Sequence, residues 1–215
     1  MPPTGPLATT ISAAATRRAV RAVLDGGAVR SLCQPIASLS TGDVLGYEAL
    51  SRPEAPAPLD NPQEFLAAAS ACNLLEQVDH SWRVAAVSRF GPVIGHEQML
   101  FLNCTPSALT SGLLSPSSFQ GLVRRHGLQP ERVVLEITEE QAIEDFGQMR
   151  RVVGAFRACG FLFAIDDAGA GASSLQSIVE LRPDFIKLDR WLARDIEFDR
   201  GRRSMVEAIC TFARQ

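Results

Sequence analysis

Glu48, Asn103, Glu136, Asp166 and Lys187 each stand at or near the end of a short apolar run, and Asp167 directly follows Asp166. Glu48, Asn103, Glu136 and Asp166 together form an all-oxygen ligand set, hard in character and suited to magnesium or manganese rather than zinc or copper. Asp166 could bridge to a second ion held partly by Asp167. Two such ions about 4 Å apart clamp a phosphodiester and lower the pKa of a bridging water, which makes a nucleophile without a histidine. Each residue taken alone has an ordinary explanation. Asp166-Asp167-Ala168-Gly169 could be a turn, Glu136 an N-terminal charge for a helix near Thr138, Asn103 the start of a turn, and Lys187 a solvated strand-end charge. Those explanations together require every strand to end in a polar residue by accident.

The elements that must position these groups follow from the apolar pattern. Phe161 to Ile165 is a continuous apolar run, as expected of a strand buried on both faces of a parallel sheet, and it stops at the two acids. Ala19, Val20, Val23 and Leu24 recur at helical spacing, with Gly26-Gly27 as the stop. Val29 to Ala37 and Val44 to Leu50 are strand-like and joined by a connection too short for a helical crossover, so they pair antiparallel and place Gln34 across from Glu48. Pro53 to Pro62, with four prolines, reads as an extended surface loop. Helices are expected from Pro62 to Cys72 and from Leu75 to Phe90. Strand and helix then alternate: Met99 to Leu102; a helix near Ser117 to His126; Val133 to Leu135; a helix from about Glu139 to Cys159; the Phe161 strand; a helix near Ser174 to Leu181; Asp184 to Asp189; and a last helix from Arg200. This alternation implies right-handed crossovers and a parallel sheet, open or closed into a barrel whose strand ends converge on one mouth.

Composition narrows the partners. A chain of 215 residues with 46% apolar residues can bury a substantial core as one domain. Its net charge of −3 gives no basic footprint for a nucleic-acid polymer. Five widely spaced cysteines without a C-x-x-C pair predict reduced, mostly buried thiols. No apolar run approaches the ~20 residues that cross a bilayer. Residues 1–15 read as a flexible amino-terminal tail and 16–215 as the folded domain, with a cytoplasmic location expected. None of the three histidines has metal-binding spacing to another.

Tyr47-Glu48-Ala49-Leu50-Ser51-Arg52 resembles the block that names the EAL domain, and Phe101-Leu102-Asn103, Leu135-Glu136-Ile137-Thr138-Glu139, Asp166 to Gly171 and Ile186-Lys187-Leu188-Asp189 resemble its other blocks in order. The resemblance runs from about Val20 to Gln215. It implies a modified TIM-like (β/α) barrel with one antiparallel strand, and hydrolysis of cyclic di-GMP to linear pGpG with two magnesium or manganese ions. By resemblance, Glu48, Asn103, Glu136 and Asp166 hold the first ion and Asp166 with Asp167 serves the second. Lys187 orients the attacking water or a phosphate oxygen. Gln34, Leu50 and Arg52 contact the dinucleotide, and Glu139 supports the loop after Asp167, which the family also uses in dimerisation.

Two departures carry their own expectations. Ala168, Ala170 and Ala172 stand where many members have Phe, Thr and Tyr, which predicts altered loop anchoring or dimer contacts. The family pattern also continues through two further strands not found before Gln215, so the expected fold is an incomplete barrel that self-associates. A non-hydrolysing cyclic di-GMP receptor or regulatory interaction module is the alternative activity. An unrelated phosphate-binding barrel is a third.

Overall fold

The structure, a computed structural model, describes residues 12–137, 143, 145–169 and 173–214. Its centre is a six-stranded sheet in the order β1-β2-β3-β4-β5-β6. Strands β1 (Val29–Ala37) and β2 (Val44–Pro53) form the antiparallel hairpin, with Gln34 opposite Glu48. Strands β3 (Met99–Cys104), β4 (Val133–Ile137), β5 (Leu162–Ala168) and β6 (Phe185–Leu188) continue it in parallel. Among the described residues β1 and β6 are the two edges and the sheet does not close, so the architecture is an incomplete α/β barrel with one antiparallel strand.

The helices are α1 (Ala13–Gly26), α2 (Pro62–Ala71), α3 (Leu75–Phe90), α4 (Pro106–Thr110), α5 (Pro116–Arg125), α6 (Phe146–Ala158), α7 (Ser173–Leu181), α8 (Arg190–Ala193) and α9 (Arg200–Ala213). Their starts carry local chemistry that the sequence specifies. Ser12, Asn61, Thr105, Asp145 and Asp199 each accept a backbone N–H of the following first turn, and Pro62 and Pro106 sit at first-turn positions where no N–H is needed. Gly27 ends α1 in the left-handed region (φ 60°), where its N–H donates to the Leu24 carbonyl.

Two apolar layers hold the sheet. All five residues of β4 are buried, the pattern of a strand covered on both faces. On the helix side Phe156 packs edge-to-face against the strand-entry residue Phe161 and against Phe163, with ring centroids 5.7 and 6.2 Å apart. Burying each such side chain contributes about 1.5–3 kcal/mol. On the other side Phe101, Val134 and Ala164 form a smaller cluster joined by Ile36 and Phe185. Alternation along each strand then places Asn103, Glu136, Asp166 and Lys187 on this second face, two residues beyond Phe101, Val134, Ala164 and Phe185.

Several expectations need correction. β5 runs on through Asp166 and Asp167 to Ala168 rather than stopping at the acids. α1 takes in residues 13–15, which the sequence placed in the tail, and residues 1–11 lie outside the described set. The helix expected from Glu139 is described only from Phe146; Ile143 and Asp145 are not helical, and Asp145 caps the helix instead. The proline-rich segment is not wholly a surface loop, since Pro53 pairs with Val29 and Leu59 is buried. The thiols are all free, yet Cys33 and Cys210 are exposed and only Cys72 and Cys104 fully buried. Among the described residues no helix is long and apolar enough to cross a membrane.

Candidate metal centre

The four strands β2, β4, β5 and β6 bring Glu48, Glu136, Asp166 and Lys187 to one point. Carboxylate oxygens of Glu48, Glu136 and Asp166 all lie within 4.8 Å of one another. Lys187 Nζ touches each of them, at 3.1 Å from Glu48 Oε2, 2.8 Å from Glu136 Oε1 and 3.0 Å from Asp166 Oδ1. From β3, Asn103 Nδ2 donates to Glu48 Oε1 at 3.4 Å. The register that makes this possible is plain in the ladders, where Asn103 pairs directly with Glu136. Gly46 lets β2 approach β3, because a Cβ there would lie 2.5 Å from the Met99 carbonyl oxygen.

The electrostatics of the cluster favour a further cation. Burial, together with the neighbouring Glu48 and Asp166 charges and against the pull of Lys187, pushes the Glu136 carboxyl up to about 8. Burial works against the Lys187 charge too, but the three carboxylates outweigh it and raise its pKa above the ordinary lysine value. When all three acids are ionised, one ammonium leaves two negative charges unbalanced. Glu136 has no exposed surface; its Oε1 meets Lys187, and its Oε2 has no hydrogen-bond partner among the described residues. A buried oxygen without a donor is costly unless something else binds it. A hard divalent cation fits this donor set in charge and in ligand type.

The other sequence candidates sit around that cluster with differing closeness. Gln34 is exposed on β1, opposite Glu48. Leu50 and Arg52 share the Glu48 face of β2 and are half-buried; Arg52 Nη1 donates to the Ser51 carbonyl at 2.9 Å. Asp167 is exposed in the left-handed region (φ 54°) and lies outside the three-carboxylate group, although its N–H donates to Asp166 Oδ1 at 3.0 Å. Glu139 lies outside the described residues.

A cleft of about 180 Å³ is lined by Leu50, Arg52 and Asn103 on the strand side and by Asp79, Trp82 and Arg83 of α3 on the other. The sequence pattern predicts α3 as a helix but does not single out Asp79 and Arg83. The available clue was an acid and a base one helical turn apart among the apolar Val78, Ala86 and Val87. Burial pushes the thiol of Cys104, next to Asn103, up to about 12 despite Arg83 beside it.

Known proteins resemble this chain in sequence and in fold. The chain is 30% identical over 187 residues to the cyclic di-GMP phosphodiesterase NbdA of Pseudomonas aeruginosa, covering 85% of this chain and 24% of that protein. The structure resembles BlrP1 of Klebsiella pneumoniae in its calcium and cyclic di-GMP complex, with a TM-score of 0.75, 30% identity, and coverage of 87% of this chain and 46% of that one. It likewise resembles the PaMucR phosphodiesterase in complex with cyclic di-GMP, with a TM-score of 0.78, 26% identity, and coverage of 93% and 82%. The chain spans roughly a quarter to a third of the length of the curated relatives it matches. The EAL domain profile matches residues 16–215, nearly the whole chain, and with the antiparallel first strand and the carboxylate cluster already in place, the chain belongs to the EAL domain family.

Proposed function

We propose that this chain hydrolyses cyclic di-GMP to linear pGpG with the help of magnesium or manganese, two ions being expected. The observation that carries the reading is the convergence of Glu48, Glu136 and Asp166 within 4.8 Å, with Asn103 bonded to Glu48. Glu48, Asn103, Glu136 and Asp166 would hold the first ion, and Asp166 with Asp167 the second. Bound there, the ions lower the pKa of a water and offset phosphate charge. Water oxygen attacks phosphorus, the P–O3′ bond breaks, and the proton released by water ends on the departing 3′ oxygen. Lys187 is the one ammonium in contact with the cluster among the described residues, and it orients the attacking water or a phosphate oxygen. Arg52 meets phosphate with a charge-assisted hydrogen bond, while Gln34 and Leu50 border the dinucleotide. A cytoplasmic location goes with such a substrate.

The test is incubation of the folded chain with cyclic di-GMP and magnesium or manganese, followed by chromatography of the nucleotides. Appearance of pGpG that a chelator abolishes supports the reading. A folded chain that forms none sinks it.

A non-hydrolysing cyclic di-GMP receptor is the second reading. It is favoured by Lys187 Nζ itself contacting all three carboxylates, since that ammonium competes with a metal for the same oxygens. Calorimetric binding of cyclic di-GMP without product, unchanged by Asp167→Ala, would select it. Self-association belongs to either reading, because β6 is an open edge among the described residues and Trp191 and Phe198 beyond it are exposed. A compact monomer by scattering, with no concentration dependence, would exclude it.

A further inference from the structure

Asp79 and Arg83 lie one turn apart on α3, 6% and 2% exposed, with Arg83 Nη1 2.6 Å from Asp79 Oδ1. The pair grips three consecutive residues at the end of β3. Arg83 Nη1 donates to the Asn103 carbonyl at 3.5 Å and to Cys104 Sγ at 3.1 Å. Asp79 Oδ2 accepts from the Thr105 N–H at 3.1 Å and from its hydroxyl at 3.0 Å. This grip begins where the sheet lets go on one side: the β2–β3 ladder ends at Ala49 opposite Leu102, one residue before Asn103. Beyond that point β3 is held by β4 on one flank and by the α3 pair on the other.

Stability alone does not account for the pair. Taking two charges out of water costs about as much as their attraction returns, and apolar residues of similar volume serve equally well or better in such places. Here the cost is higher still, because Arg83 Nε and Nη2 find no hydrogen-bond acceptor among the described residues. What the pair supplies is direction. It fixes the backbone on both sides of Cys104, while Asn103, on the opposite face of the strand from Cys104, reaches Glu48 Oε1.

We infer that Asp79 and Arg83 are positioning residues that hold Asn103 in place as a ligand for a divalent cation shared with Glu48, an inference that rests on the metal reading above. Groups that orient a metal ligand from behind typically govern affinity by about 10–100-fold.

The decisive variant is Asp79→Leu with Arg83→Met in the same chain, which replaces the ion pair by apolar side chains of similar reach. Manganese binding is measured by calorimetry and by the loss of the free-ion paramagnetic resonance signal, alongside thermal unfolding. The expected result is a folded variant at least as heat-stable as the wild type whose manganese affinity is about 10–100-fold weaker. Asp79→Asn keeps an acceptor for Thr105 and loses the charge facing Arg83, so it serves if the double variant does not fold; its affinity is expected to fall about tenfold. Wild-type manganese affinity in either folded variant overturns the inference. A wild-type chain that binds no manganese at all removes the metal reading, and the inference with it.

Discussion

Lys187 Nζ sits 2.8 Å from Oε1 of Glu136, a carboxylate with no exposed surface, and the same ammonium holds Glu48 and Asp166. The lysine therefore has two roles that are separable by experiment. It neutralises a crowded acid cluster in the structure, and in the proposed reaction it would face the phosphate. Lys187→Met leaves three carboxylates within 4.8 Å of one another without their cation. Because Glu136 can take up a proton and Lys187 is partly exposed, the expected destabilisation is about 1–3 kcal/mol, below that of a fully buried pair. Urea unfolding should show it, and manganese should restore more stability to the variant than to the wild type. Equal manganese responses would mean that Lys187 and the ion do not share those oxygens.

Glu136→Gln tests the other half of that contact. The substitution keeps shape and removes a charge that burial already disfavours. Thermal stability without metal is expected to stay level or rise, while product formation falls by about a hundredfold or more as a ligand carboxylate is lost. A variant with wild-type turnover would remove Glu136 from the metal site.

Much of this site was legible in the residues because the parallel strands are short, apolar and terminated by polar groups. Gln34 pairs with Glu48 as the hairpin length required, and Asn103 pairs with Glu136. What escaped was of two kinds. Helices α4 and α8 have 5 and 4 residues, too few for a periodic stripe to form. The Asp79–Arg83 pair was hidden because its partners, Asn103 to Thr105, are about twenty residues away, and helical spacing says nothing about which strand a helix packs on.

Helix α8 has a consequence for the loop that follows Asp167. Gly169 adopts φ 104°, and a Cβ at that position would strike the Leu192 side chain, which is buried on α8. Gly169→Ala therefore meets both backbone strain and a collision. It is expected to cost about 1–3 kcal/mol and to displace Asp167, so that turnover falls more than substrate affinity does. Measurement of kcat and KM beside the unfolding free energy checks this; unchanged kcat in a destabilised variant would show that α8 supports the fold without governing the loop.

His80 supplies a pH dependence outside the carboxylate cluster. Burial, with the Arg83 charge adding to it and Asp79 opposing, lowers its pKa below the ordinary histidine value, and its Nδ1 is buried without a hydrogen-bond partner among the described residues. The folded chain thus keeps His80 neutral where the unfolded chain, with a value near ~6.5, takes up a proton. Its contribution to stability is fully present above that unfolded value and is lost as the pH falls from there through the folded one. His80→Gln cannot titrate, so its unfolding free energy should decline less than that of the wild type between about pH 7.5 and 5.5. Parallel declines in the two chains, followed by urea unfolding at both pH values, would assign the acid sensitivity to other groups.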